Sequence, residues 1–541
     1  MDRRALLTTG LTTGLATGLT AAMAATSGCD GPPPAGPSPA GTPSAGPSSA
    51  TAPPSSSAPS PSSGRAPSWK ALAAGLEGLL VLPGDAAYAT ARQLYNRRFD
   101  RLRPAAVAYV AGEEDVRECL AFARRHGLRV SARGGGHSYG GWSSGDGRLV
   151  VDVSRLSRAE ADGGTGAVVG AGARLVEVYR ALAARGRTVP AGSCPTVGVT
   201  GLTLGGGHGV MSRAYGLTCD SLEAATVVTA DGRTVRASAD EDAELLWALR
   251  GGGLAGFGVV TELRFRTHAA PPTVTAYLNW PWTRARAVLA AWQEWAPGLP
   301  DEVWSQLHLS AGAGGGTPSV TVTAMTLGGR GGLEDAVDRL ADRSGAPAPR
   351  VALRERGFLE SMLVFGGCAG LSEEQCRLPG ELPGRSPRGA LGRETYAASS
   401  DFFDRPLPDA GRAALTTAVE AFTRTAVAEG GGGGSVALTA LGGAVNRVDP
   451  STTAFVHRGS RMLAQYVASW QPGTPGAAQR RWLREARAGM RRYASGAAYQ
   501  NYPDPDLPDW RRAYYGAAAP RLAELRGRYD PEGLFTYAQS L

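Results

Sequence analysis

The spacing of apolar residues divides the chain. Residues 5–25 form one weakly apolar stretch broken by Thr and Gly, and residues 31–68 carry almost nothing but Pro, Ser, Ala, Gly and Thr. Beyond residue 68, apolar positions recur at the spacings of folded elements. An amphipathic pattern predicts a helix over 115–126, with Cys119 on it as a small core residue. The apolar run 101–110 leads into that helix, and Leu128-Arg129-Val130 after it predicts a short strand. Residues 224–229, closed by an Asp231-Gly232 turn, predict a further strand. A helix follows over 242–250, a strand over 259–265, a helix over 286–295, and a strand over 319–326. From about residue 271, alternating strands and helical patterns imply an antiparallel sheet with helices on one face. The run Gly430 to Gly434 reads as a flexible loop.

Composition changes the picture at the N-terminus. A bilayer span needs about 20 firmly apolar residues, and 5–25 is too polar for a permanent anchor. The Arg3-Arg4 pair, the apolar middle and the small-residue exit match a twin-arginine export signal over 1–30. Thr26-Ser27-Gly28-Cys29 resembles a lipoprotein processing box with Thr where Leu is usual, which leaves lipidation at Cys29 and simple cleavage both open. Residues 31–68 have nothing to bury against their ordering entropy and are expected to form a disordered tether. The remainder of the 541 residues is too long for one small core and suits two sizeable domains.

Charge and cysteines exclude several classes. The net charge is +8, but Lys70 is the only lysine, and the arginines are scattered among Asp and Glu with no basic run. Nucleic-acid binding is therefore not expected. There is no Cys-x-x-Cys or His-x-x-x-His, so no metal site is expected. Cys368 and Cys376 are close enough in sequence for a disulfide in an exported protein, with two free thiols as the alternative.

Candidate chemistry lies in three glycine blocks. The first is Arg133-Gly134-Gly135-Gly136-His137-Ser138-Tyr139, directly after the predicted strand. Consecutive glycines let backbone N–H groups converge on an anion such as a diphosphate. The second runs from Cys194-Pro195-Thr196-Val197-Gly198 through Gly201 to Gly205-Gly206-Gly207-His208. In the third, Gly251, Gly253 and Gly256 satisfy G-x-G-x-x-G, but a helix precedes it and a strand follows. A nicotinamide-dinucleotide fingerprint needs the reverse order. A Walker A loop would need a lysine that is absent.

From about Phe99 to the C-terminus, these blocks and the segment Tyr499-Gln500-Asn501-Tyr502-Pro503 resemble the berberine-bridge-enzyme-like branch of the vanillyl-alcohol-oxidase flavoproteins. The resemblance implies an α+β fold. A two-part PCMH-type FAD-binding domain spans 69–270, and a substrate domain with a helix-covered antiparallel sheet spans 271–458. A C-terminal segment, 459–541, returns to the flavin. It further implies one FAD bonded to both His137 and Cys194. Arg133, Gly134, Gly135, Gly136, Ser138, Val197, Gly198, Gly201, Gly205, Val260 and Asn501 are the expected cofactor contacts.

By the same resemblance, Tyr499 is the base for oxidation of an alcohol or amine, and Tyr139 and Gln465 are active-site positions. Gln465 is an amide where some members carry an acid, which makes it an orienting donor. His208 stands where an aromatic residue is usual, and acid–base and packing roles both remain open for it. Val197, the smaller choice at the position that gates oxygen, resembles the oxidases. The expected acceptor is therefore O2, with H2O2 as product. A dehydrogenase using a quinone or protein acceptor and a flavin-loaded protein without turnover are the alternatives. Export favours a sugar or oligosaccharide as substrate. The membrane is expected only as the site of a signal or lipid anchor.

Overall fold

The computed structural model describes residues 67–541. The expected export signal, the Cys29 box and all but the end of the tether lie outside them. Ser68 already belongs to the folded body, because its hydroxyl caps the helix Trp69–Gly75 by accepting from the Ala71 N–H.

The first sheet has four strands in the spatial order Leu79–Val81, Ala106–Tyr109, Leu149–Asp152, Val130–Arg133. The last three are parallel, so a crossover must carry the chain from Ala106–Tyr109 to Val130–Arg133. The helix Glu113–Arg125 does so, with acidic residues in its first turn and Arg124 and Arg125 in its last, matching its dipole. Ala106–Tyr109 and Leu149–Asp152 are buried at every position. That explains a continuous apolar run at 101–110 in place of alternation. The strand expected at 128–130 instead starts at Val130. Gly127, at φ +64°, terminates the helix, and the Leu128 N–H closes on the Ala123 carbonyl. Val130–Arg133 thus delivers the chain straight into the first glycine block.

A second, wholly antiparallel sheet takes the order Ala159–Ala161, Gly166–Gly170, Val259–Arg266, Leu222–Val228, Thr234–Ser238. The helix Ala243–Leu249 passes through a tight turn at Gly253–Ala255 into Val259–Arg266. The third glycine block is therefore helix-to-strand, as its sequence context implies. Leu120, Val151, Val169, Val227 and Leu263 join both sheets in one core.

The third large sheet has seven antiparallel strands: Arg350–Arg356, Thr273–Trp280, Ser319–Thr326, Val303–Gly312, Gly433–Ala440, Met462–Ser469, Tyr396–Phe403. The helices Ala285–Trp295, Arg330–Ser344, Asp409–Phe422 and Ala477–Met490 cover one face through Trp292, Leu333, Leu415 and Trp482. The two-residue period sorts its strands. Val303, Leu307 and Leu309 face the helices, whereas Trp304 and Gln306 face a cavity on the other side. The α+β architecture with a helix-covered antiparallel sheet is the one expected from the sequence.

Two expectations need correction. Residues 462–469, placed with the C-terminal return segment, form a strand between Gly433–Ala440 and Tyr396–Phe403. The glycine run 430–434 is only partly a loop. Gly430, Gly431 and Gly432 turn with positive φ, but Gly433 and Gly434 are paired strand residues. Glycine is needed at 434 for packing, since a Cβ there would lie 2.3 Å from the Phe422 ring. Cys368 and Cys376 form a disulfide, with Cα atoms 5.6 Å apart.

After Met490 the chain returns to the N-terminal sheets. Leu522 and Leu525 of the helix Ala519–Tyr529 enter their core, and the Leu534 carbonyl accepts from the Val130 N–H. Among the described residues, no helix is long and apolar enough to cross a membrane.

Candidate active site

The first two glycine blocks meet backbone to backbone. A Cβ on Gly135 would lie 2.2 Å from the Gly198 nitrogen, and one on Gly198 would lie 2.4 Å from the Gly135 nitrogen. Only glycine permits this approach. Gly134, Gly136, Gly201 and Val260 line the same cavity, of about 310 Å³, which lies within the size class of roughly 300–1,000 Å³ typical of small-molecule sites. A Cβ on Gly201 would meet nothing within 4 Å, so this backbone opens onto the cavity. Trp142 and Tyr537, stacked with centroids 4.6 Å apart, line it as well. Backbone amides without side chains over a mainly apolar cleft fit a dinucleotide diphosphate and its flat ring systems.

His137 lies against the Tyr95 ring, with centroids 3.9 Å apart, and its Nε2 is 2.9 Å from Thr196 Oγ1. Burial, with a further push from the Arg174 charge, lowers its pKa to about 3. The imidazole is therefore neutral and keeps a lone pair for bonding. Cys194 lines the cavity too.

Other expected contacts divide. Val197 stands in the cavity wall. Ser138 turns its hydroxyl to the Trp142 N–H, at 3.1 Å, and so shapes the loop. The Arg133 guanidinium is committed elsewhere, in a buried ion pair with Asp152 and a 3.4 Å contact to the Tyr109 hydroxyl. Gly205 makes room for Asn501, whose Oδ1 would lie 2.1 Å from a Cβ there.

Tyr499 is almost completely buried in the cavity wall. Its oxygen receives three donors: the Gly207 N–H at 2.8 Å, the His208 N–H at 3.3 Å and Asn501 Nδ2 at 3.0 Å. The Leu202 carbonyl also accepts from Asn501 Nδ2, at 2.8 Å, which fixes the amide orientation. A neutral hydroxyl offers two lone pairs, whereas a phenolate offers three. Burial raises the Tyr499 pKa, and these donors oppose the rise.

His208 Nε2 lies 2.7 Å from the Tyr502 hydroxyl, and its buried Nδ1 has no hydrogen-bond partner among the described residues. Burial lowers its pKa to about 4. Tyr139 stacks on Tyr502 with centroids 5.2 Å apart and accepts from Gln465 Nε2 at 2.9 Å. Gln465 itself does not reach the cavity wall, so its influence runs through Tyr139.

Sequence reasoning missed Tyr502, Trp304 and Gln306, which all line the cavity. Tyr502 sits inside the quoted Tyr499–Pro503 segment and was findable there. Trp304 and Gln306 carry no motif; only the strand's facing places them.

A model of FAD-binding domains matches residues 104–238, and a model described as berberine and berberine-like matches residues 498–541. The chain is 30% identical over 476 residues to the uncharacterized FAD-linked oxidoreductase YgaK of Bacillus subtilis, covering 86% of this chain and 97% of that protein. It is 31% identical over 467 residues to the chitooligosaccharide oxidase of Gibberella zeae, covering 83% and 89% respectively. The solved structure of BBE-like 1 from Physcomitrella patens superposes with a TM-score of 0.77 at 30% identity, covering 87% of this chain and 98% of that one. With its glycine cradle and C-terminal return segment matched to relatives along nearly their whole length, the chain belongs to the berberine-bridge-enzyme-like family of FAD-linked oxidoreductases.

Proposed function

We propose that the protein is an oligosaccharide oxidase whose FAD is bonded to His137 and Cys194, and that Tyr499 is its base. The convergence of three donors on the Tyr499 oxygen inside the cavity carries this reading. The name of the chitooligosaccharide oxidase relative supports the substrate class, and the neutral state of His137 supports the bond to that ring. FAD, when bound, supplies a two-electron acceptor for the carbon that loses its hydrogen, and O2 takes the electrons onward to give H2O2.

The residues handle the proton and the pose. Tyr499, as phenolate, takes the proton of the substrate hydroxyl on the lone pair that only the long His208 N–H contact engages, at 3.3 Å, while the Gly207 N–H and Asn501 steady its oxygen. Stacked Tyr139 and Tyr502 offer flat apolar faces of the kind that sugar rings pack against, and Gln465 fixes the Tyr139 hydroxyl. His208, neutral and joined to Tyr502, presents Nδ1 as a further polar contact. Val197 leaves space beside the ring system for oxygen. The twin-arginine start supports export of the folded, loaded protein.

Peptide mapping of the purified protein is expected to find flavin mass on both the His137 and Cys194 peptides. A peroxide-coupled screen of oligosaccharides, simple sugars and aromatic alcohols tests the function. The expected result is peroxide formation with oligosaccharides ahead of the other classes. Turnover only with an artificial acceptor, or only with aromatic alcohols, would overturn it.

A further inference from the structure

A second cavity, of about 40 Å³, shares the loop Gly134–Gly136 as a wall with the first. Three arginines line it, Arg133, Arg174 and Arg385, together with Asp152, Tyr109 and Ser154. Arg133 and Arg174 are buried, at 4% and 7% exposure. The Arg133 guanidinium belongs to this side of the loop, because both its partners, Asp152 and Tyr109, line the small cavity and not the large one.

The charges do not balance. Among the described residues Asp152 is the only carboxylate in the lining, and it pairs with Arg133 while also accepting the Ser154 N–H at 2.8 Å. Arg174 finds only neutral acceptors, Ser154 Oγ at 2.9 Å and the Gly172 carbonyl at 3.2 Å. Arg385 likewise has the Pro379 carbonyl at 3.0 Å and Gln93 Oε1 at 3.1 Å. Glu177 is already engaged, accepting from the Arg174 backbone N–H and pairing with Arg377 at 3.0 Å. Three guanidinium groups thus share one carboxylate, and Arg133 Nη1 is buried with no hydrogen-bond partner among the described residues. An unpaired donor on a buried cation is costly to leave unmade. Burial, aided by the neighbouring arginines, pushes the Arg385 pKa down to about 10.

We infer that this cavity is a binding site for a small monovalent anion of halide size, held by Arg133, Arg174 and Arg385. Water would satisfy the orphaned Nη1 but would leave the excess positive charge. The volume suits a halide with water beside it and is too small for a phosphorylated ligand. Gly384, at φ +80°, sets the position of one wall: a Cβ there would lie 2.2 Å from Arg174 Nη2, so the loop closes tightly over that guanidinium. A bound anion would offset the Arg174 charge that acts on His137.

The test uses the flavin-loaded protein crystallised with sodium bromide, together with thermal melts in chloride and in an equal concentration of a bulky organic anion. A bromide anomalous peak between the three arginines is expected, with a melting temperature that rises and saturates with halide. Arg385→Gln should lose the saturable rise while keeping its flavin content. If that variant does not fold, the bromide peak alone decides. No peak at saturating bromide would overturn the proposal, as would a halide response unchanged in Arg385→Gln. A peak confined to flavin-free protein would also overturn it, since the arginines would then serve the flavin diphosphate alone.

Discussion

On one side of the large cavity the wall is backbone: the loop Gly134 to Gly136 lies against Gly198, with no space for a Cβ between Gly135 and Gly198. On the other side it is side chains gathered from distant segments, with Tyr139, His208, Tyr499 and Tyr502 linked through ring contacts and hydrogen bonds, and Gln465 bonded to Tyr139 from outside the wall. The first kind of wall depends on the Gly135–Gly198 approach, which admits no substitute at either position. The second depends on individual hydroxyls, amides and an imidazole, each replaceable by a residue of similar shape. Flavin retention and turnover should therefore fail separately.

The largest expected separation comes from one substitution on each wall. Gly135→Val places a branched side chain where even a Cβ would be 2.2 Å from the Gly198 nitrogen. It should yield protein without flavin, read as visible absorbance per polypeptide. Tyr139→Phe removes only the hydroxyl that Gln465 donates to, and should keep full flavin content while weakening turnover through a raised KM. Equal flavin loss in both would erase the distinction between the walls.

A smaller effect belongs to His208. Its folded pKa is depressed to about 4 by burial, below the unfolded value near 6.5. Above about pH 6.5 both states hold it neutral, so its contribution to stability is fully present there. Below that, the unfolded chain takes up the proton first, and stability falls as pH approaches 4. The cost by then is about 2 kcal/mol after allowance for partial exposure. Urea unfolding at neutral and acid pH should show His208→Gln losing less stability on acidification than the parent protein. An identical acid loss in both would mean that the ring is solvated.

The smallest effect concerns acceptor access. Val197→Leu should slow re-oxidation in air severalfold while leaving anaerobic reduction by substrate unchanged. Unaltered re-oxidation would make Val197 a packing residue.

The legibility of the molecule follows the same division. The strand Ser319–Thr326 and the helix Ala285–Trp295 announce themselves by period, because Val320, Val322 and Ala324 alternate onto the helix-covered side and the helix buries one apolar face. The glycine cradle is legible because a backbone approach forces glycine at 135 and 198 and a positive φ favours it at 136. Gly433 and Gly434 were misread for the same reason in reverse, since glycine composition hides a strand that needs space for Phe422. Trp304 and Gln306 reach the cavity through sheet facing, and the Gln465–Tyr139 bond joins residues 326 apart in sequence. No local pattern encodes such a pairing. The surplus of buried arginine behind Gly134–Gly136 is likewise visible only in three dimensions.

The central claim is that the Tyr499 oxygen, braced by two backbone amides and Asn501, takes the substrate proton. Anaerobic stopped-flow reduction of the bound flavin in Tyr499→Phe tests it most directly, because the ring and its packing remain while the proton acceptor is gone. Flavin content and fold should be retained, the reduction rate should fall by about 10²–10⁴-fold, and its rise with pH should vanish. Reduction nearly as fast as in the parent protein, with the same pH profile, would contradict the account.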